Sequence, residues 1–209
     1  MTPAVAITIA TYNKAEALDR TLTSIRRQVV PFDYELIVVD DGSSDASVSV
    51  AERHGARVLA LVPSGYRNPA PARNLAVTLS TAPILILQSD EVEHVGNTVA
   101  PLVTIVERRN PVLATVVNVD AQGRQTDVYC SPDKRRPLFF LGAIWREDFL
   151  AVGGFDESFV EPSYEDKWFA DCLTHTGRPC QFTWAVRGRH WDHPRPANSK
   201  SPVSKRVYH

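Results

Sequence analysis

The stretch Tyr34-Glu35-Leu36-Ile37-Val38-Val39-Asp40-Asp41-Gly42-Ser43-Ser44-Asp45 decides how this chain is read. A short apolar run drives into two adjacent carboxylates, then into a Gly-Ser-Ser-Asp turn that opens a helix. Buried parallel strands end at the crevice where α/β proteins hold their ligands. Two acids there repel a bare phosphate and suit groups that donate hydrogen bonds: ribose hydroxyls, a base N–H, or the water around a cation. The competing reading is an acidic turn that caps a helix, with Ser43 or Ser44 satisfying its free N–H groups.

Outward from this run, strands and helices alternate. Residues 4–10 read as a first strand. Asn13, with Glu16 three positions on, resembles a capping box, and Leu18, Leu22, Ile25 and Val29 recur at helical spacing. A second helix is expected over 45–54, ended by Gly55, then a strand over 57–62 and a Pro/Gly-rich loop at 63–71. A third helix is expected over 72–79 and a fourth strand over 84–87. This rhythm predicts an α/β fold with a parallel, right-handed, doubly wound sheet. Beyond a helix over 98–109 and a strand over 112–119 the rhythm breaks. Strand-like runs at 127–130, 138–145 and 181–186 and a helix over 165–175 describe a mixed C-terminal half fused to the first.

The 209 residues suffice for one domain with a core of its own, and 44% hydrophobic and 22% charged residues are ordinary for a globular protein. The net charge of −1 is unevenly spread: residues 187–209 hold six basic side chains and one acid, about +5, leaving about −6 elsewhere. Such a tail is solvated or faces phosphates, an anionic surface or nucleic acid. Cys130, Cys172 and Cys180 are odd in number without Cys-x-x-Cys spacing, which argues against a disulfide framework or zinc knuckle and for a cytoplasmic location. No run approaches the ~20 apolar residues of a membrane span, and the N-terminus lacks a signal peptide's basic start, so a soluble protein is expected.

No Gly-x-Gly-x-x-Gly follows the first strand, and neither a P-loop nor a Gly-x-Ser-x-Gly elbow is present. The chemistry left is acids and histidines at element ends. Gln88-Ser89-Asp90-Glu91 closes the fourth strand, where Asp90 is either part of a solvated acidic turn with Glu93 or an oxygen ligand for Mg²⁺ or Mn²⁺. Glu165 and Asp166 follow a Gly153-Gly154-Phe155-Asp156-Glu157 loop at a helix N-terminus, a place the helix dipole favours for carboxylates. The pair can also divide labour, one acid orienting a hydroxyl and the other taking its proton. His190 and His193 are three apart after the last expected strand; in a helical turn that spacing brings two imidazoles to one point.

Taken in order, these pieces resemble the GT-A glycosyltransferases, above all the inverting family 2, with an echo of the β-1,4-galactosyltransferase type. The matching stretches are ITIATYN at 7–13, ELIVVDDGSSD at 35–45, Ala72-Arg73-Asn74, ILILQSDE at 84–91, GGFDESF at 153–159, Glu165-Asp166 and His-x-x-His. The resemblance implies a GT-A catalytic domain over 1–209: a nucleotide-binding half to about 95, an acceptor and catalytic half to about 195, and a basic tail over 196–209.

It implies a nucleotide-sugar donor, most often a UDP-sugar, and a divalent cation, Mn²⁺ or Mg²⁺. By analogy Thr11, Tyr12 and Asn13 border the nucleotide, Asp40 and Asp41 contact uracil or ribose, and Arg73 lies near the nucleotide or diphosphate. Gln88 and Ser89 border the donor, and Asp90 matches the metal-ligating last acid of the family's Asp-x-Asp motif. His193, with His190, matches downstream metal ligands. Asp166 matches the catalytic base, assisted by Glu165, and Gly153, Gly154, Phe155 and Glu165 face the acceptor. One departure stands out: the first acid of Asp-x-Asp is Gln88, which can accept from a ribose hydroxyl or donate to a phosphate but carries no charge.

The acceptor needs a free hydroxyl: a glycan, a lipid-linked glycan, a protein, or a hydroxylated base in nucleic acid. The tail and Lys134-Arg135-Arg136 suit an anionic one. Two rival functions share these features: a nucleotide-sugar-binding protein without turnover, and a sugar nucleotidyltransferase. The nucleotidyltransferases carry a Gly-rich basic loop after the first strand, where this chain has Ala10-Thr11-Tyr12-Asn13-Lys14.

Overall fold

A computed structural model describes residues 3–62, 68–107, 110–159 and 164–192. Strands β1 (Val5–Thr11), β2 (Tyr34–Asp40), β3 (Arg57–Ala60) and β4 (Ile84–Ser89) pair in parallel in the order β3-β2-β1-β4. Helices α1 (Ala15–Arg26), α2 (Ser47–Arg53) and α3 (Ala70–Leu79) are the crossovers. Side chains alternate along a strand, so β1 sends Val5, Ile7 and Ile9 to one face and Ala6 to the other. The first face is covered by Leu18, Leu22 and Ile25 of α1, Val50 and Ala51 of α2, and Val99, Leu102, Val103 and Val106 of α4 (Val99–Val106). The second meets α3, α5 (Arg146–Ala151) and α6 (Glu165–His175) through a cluster holding Phe139, Phe149, Phe155 and Phe169. The result is helix, sheet, helix in three layers.

The rhythm breaks sooner than expected, directly after β4, and the sheet becomes mixed. β8 (Leu141–Trp145) runs antiparallel to β4, and β6 (Val112–Val119) antiparallel to β8. β9 (Gln181–Trp191) is parallel to β6, and β5 (Val92–Val95) is antiparallel to β9. β7 (Gln125–Cys130) adds to β6. Only Asp90 and Glu91 separate β4 from β5, yet the two strands do not pair. The chain turns a corner there and joins the opposite end of the sheet.

Several expectations change. The capping box does not form: Lys14 occupies the N-cap, and Glu16 pairs with Arg20 at 2.6 Å instead of reaching back. α1 stops at Arg26, leaving Val29 78% exposed outside the apolar stripe. β5 was hidden because Glu91-Val92-Glu93-His94 reads as an acidic turn, and α5 because it is only six residues long. β9 continues to Trp191, so His190 lies in extended chain. His193 and residues 196–209 fall outside the described residues. The three cysteines are free, and burial pushes the Cys130 and Cys180 thiols up to about 12.

Candidate active site

The carboxyl ends of β1, β2 and β4 open on a cleft of about 440 Å³, within the range of small-molecule sites. Its walls include Thr11, Tyr12, Lys14, Asp41, Arg73, Gln88, Ser89, Asp90, Glu91, Phe140, Glu165 and Asp166. A smaller hollow of about 240 Å³ adjoins it and shares Asp41 and Asn68.

The floor is laced by reciprocal hydrogen bonds between the loops after β1 and β2. Asn13, at φ 49°, turns its side chain so that Oδ1 accepts from Ser44 N at 2.7 Å, while Asn13 N donates to Ser43 Oγ at 2.9 Å. Lys14 N donates to Ser47 Oγ and Ala15 N to Asp45 Oδ2, so the Gly-Ser-Ser-Asp turn caps the start of α1. Asp40 is drawn into the same turn: its buried Oδ2 accepts from Gly42 N at 3.1 Å and Ser43 N at 2.9 Å. The two acids have therefore separated. Asp41 lines the cleft, and Asp40, expected beside it, shapes the turn beneath. Asn13 likewise holds the loops together and is not among the lining residues.

Asp90 stands at the corner after β4. Thr11 Oγ1 donates to its Oδ2 at 2.9 Å, and Thr21 Oγ1 donates to its backbone carbonyl at 2.9 Å. Burial, then the neighbouring Glu91 charge, pushes the Asp90 carboxyl up to about 7, against the pull of Lys14 and of the Thr11 hydroxyl. Lys14 Nζ pairs with Glu91 Oε1, and His190 Nε2 lies 3.4 Å from Glu91 Oε2. His190 reaches this corner because β9 registers it against Val92; its Nδ1 lies 3.1 Å from Asn118 Oδ1, and Phe140 stacks on its ring.

A carboxylate whose charge is under-compensated, with a second acid and an imidazole alongside, fits a hard divalent cation. Among the described residues no three His, Cys, Asp or Glu side chains converge as a metal cluster.

The opposite wall is built differently. Arg73 Nη1 donates to Asp166 Oδ1 at 2.7 Å, and both side chains are buried. The guanidinium carbon lies 4.8 Å from the Phe155 ring centroid, and Phe155 packs on Phe169 at 4.2 Å. Next to Arg73, Asn74 buckles the Gly-Gly-Phe loop: its Nδ2 donates to Phe155 O at 2.8 Å and its Oδ1 accepts from Phe155 N at 2.9 Å. The approach is so close that a Cβ on Gly154, at φ +77°, would lie 2.6 Å from Asn74 Oδ1. The family resemblance set Gly153, Gly154 and Phe155 facing the acceptor. None of them lines the cleft, and Phe155 is 2% exposed because its ring is the base on which Arg73 rests. Glu165 and Asp166 both reach the cleft from the first turn of α6, where the helix dipole favours their charge.

The model of the family "Glycosyl transferase family 2" matches residues 6–155. The chain belongs to this family. A validoxylamine A glucosyltransferase of Streptomyces hygroscopicus subsp. jinggangensis is 30% identical over a 237-position alignment covering 90% of this chain and 56% of that protein. A homologue from the subspecies limoneus is equally similar over 52% of its length. The chain thus spans about half the length of the curated relatives it matches.

Among solved structures, TarS of S. aureus (residues 1–349, in complex with UDP-GlcNAc) superposes with a TM-score of 0.77 at 17% identity, over 96% of this chain and 61% of that one. A mannosyltransferase of Pyrobaculum calidifontis, in complex with GDP-Man and Mn²⁺, gives 0.66 at 20% identity, over 95% and 59%. These likenesses give the family 2 chain the GT-A fold. The family match ends just before α6, which carries Glu165 and Asp166.

Some of the cleft was missed from sequence. Lys14 adjoins the quoted ITIATYN stretch and Glu91 ends the quoted ILILQSDE stretch, but neither was given a role. Asn68 and Phe140 carried no signal, because a loop residue and an aromatic in a strand-like run look alike in any fold.

Proposed function

We propose that this family 2 chain is an inverting glycosyltransferase that moves a sugar from a nucleotide-sugar, most simply a UDP-sugar, to an acceptor hydroxyl with help from Mn²⁺ or Mg²⁺. The observation that carries the reading is the placement of two unlike carboxylates on one cleft: Asp90 short of positive charge, Asp166 paired with a guanidinium.

Asp41 and Tyr12 cradle the nucleoside, whose hydroxyl and base N–H groups donate to the Asp41 carboxylate. Asp90, with His190 beside Glu91, holds the cation, which when bound supplies positive charge to the leaving diphosphate. Lys14 extends its ammonium into the same end of the cleft and adds to that neutralisation.

Asp166 accepts the proton of the acceptor hydroxyl as its oxygen attacks the anomeric carbon and the bond to the diphosphate oxygen breaks on the opposite face. A single displacement of this kind inverts the carbon. Arg73 fixes the rotamer of Asp166 from behind, so the free face of the carboxylate meets the acceptor. Glu165 receives a second hydroxyl of the acceptor. UDP-GlcNAc in the TarS complex and GDP-Man and Mn²⁺ in the mannosyltransferase complex support donor and metal alike.

A panel of nucleotide-sugars with Mn²⁺ or Mg²⁺, read by thermal shift and slow donor hydrolysis, tests the reading. One donor should stabilise the protein and be cleaved only with the cation present. A panel in which no nucleotide-sugar binds would overturn it.

A further inference from the structure

Gln88 ends β4 at the position where the family resemblance calls for an acid. Gln88 lines the cleft, yet its amide is hydrogen-bonded within the chain. Nε2 donates both hydrogens to backbone carbonyls, to Ser89 O at 2.9 Å and to Val92 O at 2.7 Å, so it spans the Asp90-Glu91 corner from either side. Oε1 is met by His94 Nε2 at 2.9 Å.

His94 is itself held on every side. Its Nδ1 meets the Thr98 hydroxyl, and its backbone N–H donates to Ser24 Oγ at 2.9 Å. Gln28 Oε1 accepts from Thr98 N at 2.7 Å, and Gln28 Nε2 donates to Gly96 O at 2.9 Å. The imidazole therefore carries its proton on Nε2, and burial, which pushes it down to about 3, keeps it neutral.

We propose that Gln88 is a positioning residue: its amide, oriented by His94, locks the corner that presents Asp90, and makes no contact with the donor. The inference rests on the reading of Asp90 as the cation ligand. It explains the departure from Asp-x-Asp in chemical terms. A carboxylate at 88 could accept from His94, but it could donate to neither Ser89 O nor Val92 O. Those two carbonyls would lose the amide's hydrogen bonds and face a buried negative charge. The amide is the group this corner requires.

α1 completes the lock: Thr21 donates to the Asp90 carbonyl from the same helix whose Ser24 receives His94 N. Asp90 is thereby fixed through its side chain by Thr11 and through its carbonyl by Thr21, while Gln88 holds the carbonyls of Ser89 and Val92 on either side of the corner. A metal ligand benefits from such pre-organisation, because no ordering of the corner remains to oppose binding.

The test is a calorimetric titration of the full chain with Mn²⁺ in the presence of UDP, for wild type, Gln88→Asp and Gln88→Met. ¹⁵N NMR of the His94 imidazole is recorded alongside. Both variants should bind Mn²⁺ ~10-fold or more weakly, while their affinity for UDP without metal stays at the wild-type level. Wild-type His94 should show the neutral Nε2–H tautomer from pH 5 to 8. If Gln88→Asp fails to fold, Gln88→Met decides, being of similar length and uncharged. Gln88→Asp or Gln88→Met binding Mn²⁺ as tightly as wild type, or tighter, would overturn the proposal alone, as would His94 protonated on Nδ1. A wild-type chain that binds neither UDP nor Mn²⁺ would overturn the nucleotide-sugar reading and this proposal with it.

Discussion

The two walls of the cleft hold Asp90 and Asp166 by opposite means. Asp90 is gripped by the neutral hydroxyls of Thr11 and Thr21, and burial, with the neighbouring Glu91 charge, pushes its carboxyl up to about 7. Asp166 is gripped by a guanidinium at 2.7 Å that supplies a full counter-charge. Neutral hydrogen bonds fix position without cancelling charge, and an ion pair does both. A site built to receive a cation should use the first device. A base that must keep one oriented oxygen toward a hydroxyl can use the second. The division of labour proposed for them rests on this difference in surroundings, since both groups are aspartates.

The comparison can be broken first at Asp166. Asp166→Asn keeps shape and removes the base, so turnover should fall ~10²–10⁴-fold with donor affinity intact, measured by steady-state kinetics on the donor identified above. Near-normal turnover would remove the base from Asp166. Arg73→Met comes next: it leaves Asp166 buried and unpaired, at a cost of about 3–5 kcal/mol in denaturant unfolding. The double variant Arg73→Met/Asp166→Leu should recover much of that loss. A destabilisation confined to the few tenths of a surface pair would show that the two do not depend on each other.

The pH dependence sharpens the other wall. With its folded pKa raised to about 7, Asp90 holds a proton that the unfolded chain releases near 4. Its contribution therefore favours folding at low pH and is lost as pH rises from about 4 to 7. In metal-free protein Asp90→Asn should raise Tm more at pH 8 than at pH 5, by about 2–4 °C for each kcal/mol recovered. His94 slopes the other way: with its pKa pushed down to about 3, its stability is full above the ordinary histidine pKa and lost as pH falls. Removing Asp90 should therefore steepen the loss of stability on acidification. An Asp90→Asn Tm gain independent of pH would contradict the raised carboxyl.

The smallest effect is expected at the floor. Asn13→Ala deletes the bonds to Ser44 N and Asp45 N and places alanine at a positive φ, costing ~1–3 kcal/mol. A neutral substitution would show that the β1 and β2 loops are held by something else.

Much of this was legible in the sequence because strands buried on both faces announce themselves. Leu36-Ile37-Val38-Val39 and Ile84-Leu85-Ile86-Leu87 could be little else, and the acids that end them fall at one edge of any parallel sheet. What remained hidden depended on side chains choosing among partners. Asp40 and Asp41 are adjacent and alike; only the path of the Gly42-Ser43 backbone decides which one turns inward. Gly153-Gly154-Phe155 read only as a loop before a helix, yet its order comes from Asn74, some 80 residues earlier. The polar seam Thr21, Ser24 and Gln28 lay at helical spacing in plain view. It was passed over because an apolar stripe beside it already accounted for the helix.

The division of labour is tested most directly by titrating Mn²⁺ and the donor nucleotide into Asp90→Asn and Asp166→Asn side by side, with turnover measured on the same samples. Asp166→Asn should bind both as wild type does and turn over poorly, while Asp90→Asn should lose the cation. Loss of cation binding in Asp166→Asn, with Asp90→Asn unaffected, would contradict the account.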